Sequence, residues 1–244
     1  MNPAVAAVLA TGLCAGVAVA GEGKDVFRAP DGKDVAVTCI KHASLRIEYD
    51  GREIHVDPVG AGVEPATDYA RFPKADLILV THEHFDHFDR AAIEALRKEG
   101  TDVVANPAVR EKLGSGDALA NGGRLHWREN VSVDAAPAYN TTPGHLAFHP
   151  KGRDNGYVLS LGGLKLYIAG DTEDIPEMEE LPAIDVAFLP CNQPYTMTPD
   201  QLVRAVKAVK PRTVFPYHCG KDDAARAAAL LEGVPVDVRL RVGR

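Results

Sequence analysis

Residues 77–87 read Leu77-Ile78-Leu79-Val80-Thr81-His82-Glu83-His84-Phe85-Asp86-His87, four aliphatic side chains followed at once by three imidazoles and Asp86 within six residues. The aliphatic run has no polar alternation, as expected of a strand covered on both faces. The loop after it holds the ingredients of a two-metal site, because imidazole and carboxylate suit zinc, manganese and iron. His82 and His84, two apart on an extended segment, can converge on one ion. Asp86 and His87 lie past the turn and face a neighbouring ion. An ordinary solvated connection between strand and helix would have no need of clustered imidazoles.

A dinuclear site takes further ligands from the ends of other strands. Asp171 follows Leu164-Lys165-Leu166-Tyr167-Ile168 and Ala169-Gly170, where the glycine lets backbone approach closely; a carboxylate there can bridge two ions. His218 ends the short apolar run Thr213-Val214-Phe215-Pro216-Tyr217 and is expected on the ion of Asp86 and His87. Asp57 closes Ile54-His55-Val56 in the same manner, with its carboxylate expected to orient a ligand rather than to bind metal.

Together these residues resemble the metallo-β-lactamase superfamily. The closer likeness is to its branch of metal-dependent hydrolases that includes ascorbate-6-phosphate lactonase-like and N-acyl-phosphatidylethanolamine phospholipase D-like proteins. The resemblance runs from about Val35 to the C-terminus. The family's strand-end aspartate matches Asp57, its H-x-H-x-D-H matches residues 82–87, its metal-bridging G-D matches Gly170-Asp171 and its late histidine matches His218. His42-Ala43-Ser44 and Tyr195-Thr196-Met197-Thr198 are also similar to that branch. One ligand departs from the pattern: after Pro137-Ala138 the branch carries a histidine, and Asn140 stands there instead. His149 and His145 are the nearby replacements, with His149 favoured; a neutral amide such as Asn140 is the poorest zinc ligand of the three.

Composition bounds the rest. The 244 residues are 45% hydrophobic with a formal net charge of −7, enough for a large core and contrary to a broad nucleic-acid surface. Residues 4–20 form an uncharged, alanine- and valine-rich run ending in Ala18-Val19-Ala20. They are expected to be a signal peptide, although Met1-Asn2-Pro3 lacks the usual basic charge. The expected organisation is a signal at 1–20, a lead-in at 21–34 and one hydrolase domain at 35–244, periplasmic or secreted and without stable membrane insertion after processing. Cys14 would leave with the signal, and the odd number of cysteines remaining (Cys39, Cys191, Cys219) leaves at least one unpaired within the chain. Cys191, at a strand end, is expected to face the site; Cys219, adjacent to His218, is placed either near the metals or, more commonly for such a residue, as a small buried thiol.

Strand patterns occur at 35–40, 45–49, 53–56, 77–80 and 102–105, and again at 125–127, 131–135, 157–161, 164–168, 186–189, 213–215 and 236–240. Helices are expected from the Asp89 cap to Gly100, after Thr198-Pro199-Asp200, and over 222–231. Two sheets face to face with helices outside make an α/β, four-layer αββα sandwich, the metallo-β-lactamase fold. The expected activity is hydrolysis of an ester, lactone or phosphodiester of a small molecule by hydroxide generated on two divalent ions, foremost zinc, otherwise manganese or iron. Asp57 and Asp86 are its expected catalytic carboxylates, and His42, Tyr195 and Lys151 weaker candidates for substrate contacts. A non-catalytic metal-dependent sensor is the alternative, separated from the enzyme by turnover.

Overall fold

The computed structural model describes residues 24–241, so the signal-peptide expectation and Cys14 lie outside the described residues. The first half of the chain builds a seven-stranded sheet in sequential order. It comprises β1 (Asp25–Arg28), β2 (Asp34–Lys41), β3 (Ser44–Tyr49), β4 (Arg52–Val56), β5 (Leu77–Val80), β6 (Asp102–Ala105) and β7 (Asp117–Ala118). Strands β1 to β4 are antiparallel neighbours, and β4 to β7 are parallel. The second half repeats the plan with β8 (Arg124–Arg128), β9 (Val131–Ala138), β10 (Asp154–Leu161), β11 (Leu164–Ile168), β12 (Val186–Cys191), β13 (Thr213–Cys219) and β14 (Asp237–Val238). There β8 to β11 are antiparallel and β11 to β14 parallel.

Parallel strands need helical crossovers, and these cover the outer faces. α1 (Arg90–Leu96) and α2 (Pro107–Leu113) lie over the first sheet, α3 (Pro199–Val209) and α4 (Lys221–Leu230) over the second. Alternation along each strand sorts side chains into three apolar layers. Leu77 and Leu79 of β5 join Phe188 and Phe215 between the sheets; Ile78 and Val80 pack under α1 and α2; Ala187, Leu189 and Val214 pack under α3 and α4. The architecture is therefore the expected αββα sandwich, and the unbroken apolar run of β5 reflects burial on both faces.

Local signals set the helix ends. Asp89 accepts from the backbone N–H groups of Ala91 and Ala92 at the start of α1, and Thr198 and Gln201 form a reciprocal capping box at α3. Several boundaries differ from expectation. α1 stops at Leu96 rather than Gly100, the last strand shrinks to Asp237–Val238, and the lead-in contains β1. The short α2, capped by Asn106 with Pro107 at its first turn and Gly114 at its end, was not foreseen.

The sheets are stitched together directly beneath the histidine loop. Tyr157 Oη of β10 donates to Val80 O at 2.8 Å, and Asn155 N donates to Thr81 O at 3.1 Å. Gly170, at φ +66°, lies so close to this seam that a Cβ there would meet Asn155 O at 2.5 Å. Gly144 has a similar φ of +92° but open space around its Cβ. Gly170→Ala should therefore cost at least about 1 kcal/mol more than Gly144→Ala, on top of the backbone strain both share. Urea midpoints that shift equally for the two variants would show that the seam tolerates the methyl group.

Candidate metal centre

The carboxyl ends of parallel strands from both sheets converge at one edge of the sandwich, the place where open α/β sheets bind ligands. Asp57 follows β4, residues 81–87 follow β5, Asp171 follows β11, and His218 stands near the end of β13. Asp57, His82 and His87 are fully buried, and Asp171 and His218 are each 2% exposed. A carboxylate and imidazoles withdrawn from water to this extent need partners or cations.

Two groups of donor atoms form there. In the first, His82, His84 and His149 bring ring nitrogens together, with His82 Nε2 and His84 Nδ1 only 3.1 Å apart. In the second, Asp86, His87 and His218 converge, joined by His42, whose Nε2 lies 3.0 Å from Asp86 Oδ2. The Asp171 carboxylate stands against both groups. Its oxygens lie 3.4 Å from His149 Nε2, 3.3 Å from His87 Nε2 and 3.4 Å from His218 Nε2. Ligand atoms about 2.0–2.1 Å from a tetrahedral ion are about 3.3 Å from each other, so these spacings suit metal coordination. Burial leaves His87 Nε2, Asp171 Oδ1 and both nitrogens of His218 with no hydrogen-bond partner. Buried polar atoms are rarely left so, and an ion between them would satisfy them.

Surrounding groups fix the ligand orientations. The Asp57 carboxylate accepts from Thr81 N at 2.8 Å and Thr81 Oγ1 at 2.7 Å, and it lies 2.8 Å from His87 Nδ1, leaving His87 Nε2 for the interior. Asp57 thus stands behind the His87 ring, on the side away from Asp171. His149 is held likewise: its Nδ1 is 2.9 Å from Asp154 Oδ2, and Asp154 accepts from Arg153 Nε and a terminal guanidinium nitrogen at 2.7 and 2.8 Å. Carboxylate behind imidazole is the usual support of a metal-ligating histidine. Asp154, Thr81 and Arg153 were missed from sequence, where a carboxylate five residues beyond His149 carries no distinguishing pattern.

Ionisation follows the same geometry. Burial holds His82 well below the ordinary histidine range, in the neutral form that binds metal. Burial alone would raise Asp86, but the nearby ring of His218, 3.6 Å away, and the hydrogen-bonded ring of His42 hold it well below the usual carboxylate range. Asp171 is likewise held low, the pull of His218 and His87 outweighing burial. Burial would lower His87, yet the charge of Asp171 draws it well above its ordinary value. The carboxylates Asp86 and Asp171 are thus both held in their charged form.

The candidates for the missing histidine separate cleanly. His149 is buried in the first group, whereas His145 is partly exposed with its Nδ1 3.6 Å from Glu173 Oε1. Asn140 Nδ2 donates to Tyr195 O at 2.8 Å and His145 O at 3.2 Å, and Asn140 N donates to His149 O at 2.8 Å. Asn140 thereby ties down the loop that delivers His149. Tyr195 lines the cleft above the donors. Lys151 does not: it is engaged with Glu177 at 2.7 Å and with Tyr139 Oη at 3.1 Å. Cys191 packs beneath α3 instead of at the site, where burial pushes its thiol up to about 12, and Cys219 packs against the same layer.

A sequence profile of the β-lactamase superfamily domain matches residues 36–218. A metal-dependent hydrolase of Thermococcus kodakarensis is 33% identical over 192 residues, 75% of this chain and 84% of that protein. Among solved structures, a protein of Parabacteroides distasonis described as a metal-dependent hydrolase is 47% identical with a TM-score of 0.86, covering 91% of this chain and 99% of that one. A metallo hydrolase of Ignicoccus hospitalis is 27% identical with a TM-score of 0.71, covering 86% and 95%. The chain belongs to the metal-dependent hydrolases of the β-lactamase superfamily.

His149→Ala should weaken metal binding strongly while His145→Ala changes it little, and Asp154→Asn should weaken it by about 10- to 100-fold through loss of orientation. Competition with a chromophoric chelator measures all three. Metal loss in the His145 variant with retention in the His149 variant would reverse the assignment.

Proposed function

We propose that the protein hydrolyses an ester, lactone or phosphodiester bond of a small molecule at a centre that holds two divalent ions, zinc foremost. His82, His84 and His149 would hold one ion, Asp86, His87 and His218 the other, with Asp171 shared. The observation that carries this reading is the pair of donor groups meeting at Asp171, with buried ring and carboxylate atoms left without hydrogen-bond partners. Divalent ions of this kind lower the pKa of water toward neutrality and polarise a carbonyl or phosphoryl oxygen.

The chain's own groups have separate tasks. Asp57 and Asp154 hold the rings of His87 and His149 in orientation, and Asp86 keeps His42 and His218 gathered on one side of the cleft. The cleft above the donors has a volume of about 510 Å³, within the size range of small-molecule sites. The acidic net charge of −7 supports a substrate other than nucleic acid. Periplasmic or secreted placement rests on the sequence of residues 1–20 alone, and an intact mass beginning at Gly21 in the exported fraction would test it.

Metal-loaded protein should turn over at least one member of a panel of aryl esters, lactones and aryl phosphodiesters. Chelation should abolish the rate and zinc, manganese or iron restore it. Asp57→Asn should lower it by about 10- to 100-fold. A loaded protein inert toward the whole panel would favour a binding or sensing role instead.

A further inference from the structure

The wall of the cleft differs in character from its floor. Phe85, Phe148 and Tyr195 stand above the donor atoms on three separate segments, with Phe148 and Tyr195 packed edge to face at a centroid distance of 4.9 Å. Phe85 is 72% exposed and Tyr195 46% exposed. Large rings left in water on the rim of a small-molecule cleft stabilise a ligand by the apolar area they cover.

Charge points the same way. Among the described residues, no lysine or arginine lines the cleft, whereas Glu83, Asp86 and Asp171 do. The nearest basic side chains are already paired: Arg153 donates to Asp154 and to Phe148 O and lies behind the cleft residues His84, at 3.4 Å, and Glu83, at 3.7 Å, while Lys151 pairs with Glu177. Of these only Glu83 lies outside the proposed metal ligands, so a phosphate or carboxylate carried away from the reacting bond, beyond the ions, would meet Glu83 and aromatic rings with no lysine or arginine lining the cleft to receive it.

Resting on the hydrolase reading above, we infer that the substrate presents an uncharged, apolar acyl or aryl group to this wall beside the bond that is cut. Phe85, Phe148 and Tyr195 are the residues that select it, and a substrate bearing a remote phosphate is disfavoured.

Hydroxamates with linear alkyl chains test this without turnover, since the hydroxamate group seeks the metal and the chain samples the wall. The probes are acetohydroxamate through octanohydroxamate, titrated calorimetrically into zinc-loaded protein. A fully buried methylene is worth about fourfold in affinity, and a cleft open on one side about half of that factor. Affinity should thus rise about twofold per methylene, or about 60-fold across the six methylenes of the series. The monohydroxamate of suberic acid, with a carboxylate at the far end, should bind more weakly than octanohydroxamate. Phe85→Ser, at a position that contributes little to the core, should flatten the chain-length dependence, as should Phe148→Ser. Acetohydroxamate binding as tightly as octanohydroxamate, or the terminal carboxylate improving affinity, would overturn the apolar-wall proposal and leave the metal centre standing. Failure of every hydroxamate to bind zinc-loaded protein would overturn the proposal together with the hydrolase reading beneath it.

Discussion

A carboxylate buried among imidazoles is the constraint on which the rest of this structure depends. Asp171 is 2% exposed and has nitrogen atoms of His87, His149 and His218 within 3.4 Å. Removing such a group from water is costly unless positive charge accompanies it. The fold supplies that surrounding from distant segments. His42, Asp57 and His218 all take left-handed backbone conformations, with φ of 47°, 44° and 48°. Strain of that kind costs about 1–3 kcal/mol per residue and persists only where packing overrules it. Here the packing is the intersheet layer and the Tyr157 and Asn155 hydrogen bonds that lock the two sheets together under the histidine loop.

The repeated plan of the two halves explains why one edge of the sandwich can host a shared centre. Each half ends in parallel strands, and both sets present their carboxyl ends to the same seam. The first half contributes His82, His84, Asp86 and His87; the second contributes His149, Asp171 and His218. The two donor groups thus draw on both sheets, so metal binding and the pairing of the halves favour the same arrangement.

Much of this was legible in the sequence, for physical reasons that can be named. β5 announces itself because burial on both faces demands an unbroken aliphatic run, and α1 and α3 because Asp89 and Thr198 cap them. β1 was invisible, since its four residues form a largely exposed edge with no apolar alternation. α2 is as short as α1 but buries only Val109 and Leu113, too few apolar positions to show a periodic face. At the centre, residues 82–87 were readable because the ligands are crowded into one loop. His149 could be named only as one of three candidates, because its support, Asp154, becomes its partner through the turn between them. Of the aromatic wall only Tyr195 could be named: Phe85 and Phe148 are ordinary residues until the fold brings them to the same cleft.

The central claim is a two-ion centre built around Asp171, and anomalous diffraction from crystals of metal-loaded protein, recorded at the absorption edge, addresses it most directly. The account predicts two peaks about 3.5–4 Å apart flanking the Asp171 carboxylate. His149 Nε2 should lie about 2.0–2.1 Å from one of them, and His218 beside the other. A single peak, or an ion held by His145 or Asn140 with His149 turned away, would contradict it.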